Sequence, residues 1–135
     1  MVTHLLDINV VIDLFRGSQL IANRMDRLGE LRCAISEITL IELRVGAEKS
    51  LRPAYHHALI EEFLPKVVVL PISEVILLFA KEKIRLQRAG TPLHDFDLLI
   101  GTAGIVRNLV VVTNNTAHFS RISGIQLEDW TQQDS

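Results

Sequence analysis

The run Leu109-Val110-Val111-Val112-Thr113 is the tightest constraint on what this chain can fold into. Its apolar residues are consecutive rather than alternating, so a strand built from them is buried on both faces. Val67-Val68-Val69-Leu70, closed by Pro71, reads the same way, as does the short apolar stretch at 32–35. Residues 3–7 read as a first strand of this kind, and Ile125-Gln126-Leu127 as a weak last one. Helix-patterned segments separate these runs. Doubly covered strands alternating with helices specify an α/β layered fold, with a mostly parallel central sheet flanked by helices.

The helices have legible ends. Residues 8–28 read as helical segments broken near Gly17-Ser18. Ser36 is placed to cap a helix running to about Glu48, with Glu37 at its positive end. Pro53 marks a boundary before an amphipathic Ala54–Phe63. Ser73–Ala89 is expected to form one long helix ended by Gly90, and Phe96 to about Arg107 another.

A chain of 135 residues suits one domain, here 1–135, with no repeat, linker or low-complexity tract. The net charge of −2 predicts no general attraction to nucleic acid, which leaves any such binding to a local basic face. The single Cys33 excludes an internal disulfide framework and reads as a buried structural thiol. Asp7 interrupts the N-terminal apolar stretch too early for a signal peptide, and no stretch is long enough to span a membrane. Cytoplasmic location is the expectation that follows.

Three acids stand in apolar surroundings: Asp7 after the first strand, Glu42 on the helix after Ser36, and Asp97 at the opening of a later helix. Neighbours of Glu42 at helical spacing are Ile38, Thr39, Val45 and Gly46, a face expected to look inward. Each acid has a plain alternative role. Asp7 is placed to be an N-cap, Asp97 suits the positive end of its helix, and Glu42 fits a solvated helix face. Carboxylates brought together repel one another and shift upward in pKa unless a cation joins them. Mg²⁺ or Mn²⁺, hard ions that take oxygen ligands, answers that need. An ion so held activates water and neutralises charge on a phosphate under attack. No zinc spacing of His and Cys, phosphate-cradling Gly loop, dinucleotide fingerprint or nucleophile elbow occurs, and His56-His57 reads as surface.

Four segments carry a resemblance. Leu5-Leu6-Asp7-Ile8-Asn9-Val10-Val11-Ile12-Asp13, Ser36-Glu37-Ile38-Thr39-Leu40-Ile41-Glu42-Leu43, Phe96-Asp97-Leu98-Leu99-Ile100-Gly101-Thr102-Ala103 and Val111-Val112-Thr113-Asn114-Asn115-Thr116 resemble a PIN domain, and more narrowly the VapC toxins of toxin–antitoxin pairs. The ending Gly124–Trp130 is similar to that group as well. The resemblance implies a PIN-like three-layer fold and an Mg²⁺- or Mn²⁺-dependent endoribonuclease acting on structured RNA, including tRNA. By position, Asp7, Glu42 and Asp97 would be the catalytic, metal-binding acids. Asn9, Thr113 and Asn115 would support them by hydrogen bonds. It also implies a homodimer held inactive by a VapB antitoxin. Ile8 stands where Thr is usual in that family, and Asn115 and His118 stand where acids are common. Three carboxylates favour one metal over two. Asp95 lies roughly 200° around the helix from Asp97, so capping or solvation suits it better than the metal.

An acidic pocket repels RNA, so cations beside it must hold the phosphates. Lys81, Arg85 and Arg88 share one helical face and are candidates for RNA contact, on a helix that leads toward Asp97. Leu20, Ile21, Met25 and Leu28 form an apolar stripe, either core or a contact for antitoxin or a second copy. Two alternatives belong to other classes. A catalytically weakened PIN-domain module would bind antitoxin without cleaving RNA. A receiver or phosphatase-like domain would need an acylable Asp with paired acids or a Lys near it, and the Asp7-Ile8-Asn9 order and the lack of a Lys after a late strand speak against it.

Overall fold

The structure, a computed structural model, describes residues 1–132. Five parallel strands form one sheet: β1 (His4–Leu6), β2 (Cys33–Ser36), β3 (Val68–Leu70), β4 (Val110–Val112) and β5 (Gln126–Glu128), in the order β3-β2-β1-β4-β5. Every described pairing is parallel, including that of β5, whose Gln126 and Glu128 are exposed at the sheet edge. The helices are α1 (Ile8–Phe15), α2 (Gln19–Leu28), α3 (Glu37–Lys49), α4 (Pro53–Phe63), α5 (Ile76–Arg88), α6 (Asp95–Arg107) and the short α7 (Thr116–Phe119).

The chain winds outward from β1 to β3, then returns to place β4 on the other side of β1. Right-handed crossovers in opposite directions put their helices on opposite faces. Two hydrophobic clusters record this. One packs Leu6, Val112 and Trp130 with α1, α2, α3 and α4; the other packs Leu5 and Val111 with α5, α6 and α7. Helix α3 contributes Ile38 to the second cluster and Leu43 and Ala47 to the first, so it straddles the two layers. Glu42 lies between those anchors.

Local chemistry explains most boundaries. The Asp7 carboxylate accepts the Ile8 N–H at 2.8 Å, Ser18 caps α2 through the Ile21 N–H, and Ser36 caps α3 through the Ile38 N–H at 3.1 Å. Pro53 occupies the first turn of α4, where its missing N–H costs nothing. The stripe on α2 is core: Ile21 is buried, Met25 and Leu28 pack beside it, and only Leu20 is exposed. Cys33 is buried, and burial pushes its thiol up to about 11.

Several expectations need correction. Ser73–Ala89 is not one helix: residues 73–75 form a 3₁₀ turn before α5 begins at Ile76. Helix α6 begins at Asp95, because His94 caps it by accepting the Phe96 N–H at 3.2 Å. The inward face expected around Glu42 is only half buried. Ile38 and Thr39 are inside, but Val45 is 48% exposed and Gly46 is exposed. His57 is not plain surface, since Arg44 donates to its Nδ1 at 3.0 Å and its Nε2 lies 3.5 Å from Glu48. Helix α7 carries no sequence signal beyond Asn115 at its N-cap.

Candidate active site

The strand order reverses at β1 and β4, which lie side by side. Ligands in open parallel sheets bind beyond the carboxyl ends of the strands at such a switch point. Asp7 directly follows β1 and Thr113 directly follows β4, so both project from that position. Thr113 donates its hydroxyl hydrogen to Asp7 Oδ2 at 2.9 Å, while Asp7 Oδ1 holds the Ile8 amide. The Thr113 hydroxyl oxygen in turn accepts the Asn115 N–H at 3.0 Å. Asp7 therefore caps α1 with one carboxylate oxygen and accepts the Thr113 hydroxyl with the other.

Asp7 and Glu42 both lie in the field of the Asp97 charge. Burial raises the Asp7 pKa first; the Thr113 and Ile8 hydrogen bonds oppose that rise, and the Asp97 charge adds to it. Burial likewise raises Glu42, the charges of Asp7 and Asp97 raise it further, and nearby His94 pulls it back. The Glu42 Oε1 atom is buried without a hydrogen-bond partner among the described residues. A buried carboxylate oxygen left unmatched is costly, and a cation is the partner that such an oxygen fits.

The donor set is all oxygen, which suits a hard ion. Among the described residues, no three His, Cys, Asp or Glu side chains close into a metal-holding cluster. Asp95 pairs with Lys83, whose Nζ lies 2.9 Å from its Oδ1.

The remaining sequence candidates fall at different distances from the acids. Asn9 is exposed on the first turn of α1 and lines a groove with Glu42. Asn115 reaches the Thr113 hydroxyl with its backbone N–H, and its side-chain amide donates to His118 Nδ1 at 2.7 Å. Lys81, Arg85 and Arg88 do share an exposed face of α5. Arg85, however, is engaged twice, with the Glu82 carboxylate and with the Arg121 carbonyl at 2.8 Å. His94 was not among the candidates. Its only sequence signal is a polar side chain just before a helix, and its proximity to Glu42 arises from packing.

The PIN domain family matches residues 4–125. The chain is 37% identical to the tRNA(fMet)-specific endonuclease VapC of Salmonella typhimurium, covering 96% of this chain and 99% of that protein. It is 31% identical to ribonuclease VapC2 of Haemophilus influenzae over 96% of this chain and 99% of that protein. Among solved structures, the DNA-bound VapBC of Salmonella typhimurium contains a chain that superposes with a TM-score of 0.91 at 39% identity, covering 96% of this chain and 99% of that one. These similarities run through all the segments that bear the acids, and the protein belongs to the PIN-domain family, among the VapC proteins.

Proposed function

We propose that the protein is the toxin of a toxin–antitoxin pair, an endoribonuclease that hydrolyses RNA phosphodiester bonds at the Asp7–Glu42–Asp97 centre with Mg²⁺ or Mn²⁺. The observation that carries this reading is the buried, unpartnered Oε1 of Glu42 beside two other carboxylates that raise its pKa. The names of the relatives, ribonuclease and tRNA(fMet)-specific endonuclease, support RNA as substrate and tRNA as the first class to test.

Asp7, Glu42 and Asp97 would hold the ion. When bound, it lowers the pKa of a coordinated water and neutralises charge on the phosphate. Thr113 locks Asp7 in one rotamer, and the Asn115 N–H locks Thr113. Asn9 projects its amide from the first turn of α1, where it is available to a phosphate or water. Lys81 and Arg88 supply exposed positive charge for the RNA backbone.

The relatives solved as VapBC complexes support a VapB-type antitoxin as partner.

The test is cleavage of a tRNA pool by the purified protein in Mg²⁺, with Asp7→Asn and Asp97→Asn as variants. Both are expected to fold and to lose cleavage. Mg²⁺-dependent cleavage retained in both variants overturns the assignment. A weakened module that only binds antitoxin is distinguished by wild-type protein that binds neither Mg²⁺ nor Mn²⁺.

A further inference from the structure

Two buried side-chain oxygens have no hydrogen-bond partner among the described residues: Glu42 Oε1 and Thr39 Oγ1. They stand three residues apart on α3, so they share one side of the helix. Thr39 is wholly inaccessible to solvent. An unmatched hydroxyl in such a place is costly, because folding strips its water and supplies no substitute. A cation at the acid centre accounts for the Glu42 oxygen and leaves the Thr39 hydroxyl unexplained.

A second buried threonine shows how a helix usually satisfies this group. Thr102 on α6 is equally inaccessible, and its hydroxyl donates to the Leu98 carbonyl at 2.7 Å, one turn earlier. Thr39 makes no such bond. It is the third residue of α3, so the residue four places before it, Ile35, lies in β2 and not in the helix. A valine at this position would have nearly the same shape and no polar group to satisfy.

The fold turns this hydroxyl toward the acids. Asp7 caps α1, Asp97 is the third residue of α6 and Thr39 is the third residue of α3, so all three stand at helix starts along the carboxyl edge of the sheet. Helix α3 packs against both α1 and α6. At about 100° per residue, Glu42 and Thr39 fall on the arc of about 140° between Ile38, which packs in one layer, and Leu43, which packs in the other. That arc is the side from which Glu42 meets the charges of Asp7 and Asp97.

We propose that Thr39 is a positioning residue of the acid centre: its hydroxyl hydrogen-bonds the Glu42 carboxylate, directly or through one water, and holds that carboxylate in the orientation in which it binds the cation. This rests on the metal-centre reading. Groups that hydrogen-bond a ligating carboxylate fix its orientation, and losing one typically weakens metal binding about 10–100-fold. In this role Thr39 acts through Glu42 and not on the RNA.

The test compares Thr39→Val and Thr39→Ser with the wild type in two measurements. Mn²⁺ is titrated into chelator-stripped protein, with the free ion followed by electron paramagnetic resonance, and thermal melts are run in chelator. Thr39→Val is expected to raise the Kd for Mn²⁺ at least ~10-fold. In chelator it is expected to melt no lower than the wild type, since it removes an unmatched hydroxyl and keeps the β-branched shape. Thr39→Ser keeps the hydroxyl and is expected to retain most of the Mn²⁺ affinity.

Unchanged Mn²⁺ affinity in Thr39→Val overturns the proposal and leaves the metal centre standing. A lower melting temperature of Thr39→Val in chelator, or its failure to fold, overturns it as well, because the hydroxyl then serves the fold. So does Thr39→Ser that binds Mn²⁺ as weakly as Thr39→Val. A wild type that binds no Mn²⁺ defeats the metal centre, and this role with it.

Discussion

Thr113 and Asp7 lie 106 residues apart in sequence, yet a buried 2.9 Å hydrogen bond joins them across the switch point of the sheet. The bond ties the loop after β4 to the first turn of α1 and holds the most buried acid of the site in one orientation. Both residues are almost inaccessible to solvent, so water cannot replace the bond if it is lost.

Thr113→Val removes the donor to Asp7 and the acceptor for the Asn115 N–H while keeping the side-chain shape. Leaving buried polar groups unpaired costs about 1–3 kcal/mol each. Thermal denaturation is expected to show a loss within that range, accompanied by a fall in RNA cleavage. Thr113→Ser keeps the hydroxyl and is expected to restore most of both. Equal stability of the Val and Ser variants contradicts the role given to this bond.

Asp7 gives a pH-dependent prediction. Its native pKa is raised from 3.8, chiefly by burial. Such a group favours the fold below its ordinary value and loses that contribution as pH rises through the raised native value. Asp7→Asn keeps an N-cap and removes the charge. In chelator, its melting temperature is expected to exceed that of the wild type near neutral pH, with the difference shrinking toward acid pH. Saturating Mg²⁺ or Mn²⁺ reverses the order: at ~100 times Kd an ion stabilises the wild type by about 2.7 kcal/mol, and the variant gains less. Calorimetric melts at several pH values, with and without metal, check both parts.

Two glycines in α6 differ in a way that stability measurements resolve. A Cβ at Gly101 would lie 2.1 Å from Ile122 Cδ1, the far end of a flexible side chain. At Gly104 it would lie 2.5 Å from Val111 Cγ2, on a short β-branched residue of the buried central sheet. Overpacking of this kind costs about 1–3 kcal/mol. Ile122 Cδ1 ends a side chain with two rotatable bonds, whereas Val111 Cγ2 is fixed directly on a β-branched Cβ, so urea denaturation is expected to show Gly104→Ala as the more damaging change.

The basic face of α5 divides by role. Glu82 is buried, and its carboxylate is held below the usual range chiefly by hydrogen bonds from Arg85. Arg85→Ala is expected to destabilise the fold, since it leaves that carboxylate with only the Ser123 N–H. Lys81→Ala and Arg88→Ala are expected to leave melting nearly unchanged. Together they weaken RNA binding and flatten its salt dependence, by a slope of about 0.7–0.9 per lost phosphate contact. Filter binding at several salt concentrations separates the two effects.

Much of the protein was written in local sequence. The Val110–Val112 run has no polar face, so a buried parallel strand was the only economical outcome. Ser36 announced a helix start, Gly17-Ser18 a break and Pro53 a boundary, because caps and prolines act on their nearest amides. Asp7, Glu42 and Asp97 stood out as acids in apolar surroundings, and the structure couples them electrostatically. Other features required the tertiary structure. The engagement of Arg85 by Glu82 and Arg121, the placement of His94 beside Glu42, the pairing of Asp95 with Lys83 and the unmatched hydroxyl of Thr39 all depend on how separate elements pack. Periodicity and capping are short-range, so sequence alone determined most of the elements and singled out the three acids, while α7 and the 3₁₀ turn before α5 came only with the structure. The partners of charged side chains are chosen across the sheet and between helices, so only the tertiary structure decided which charges are committed to the fold and which remain for chemistry.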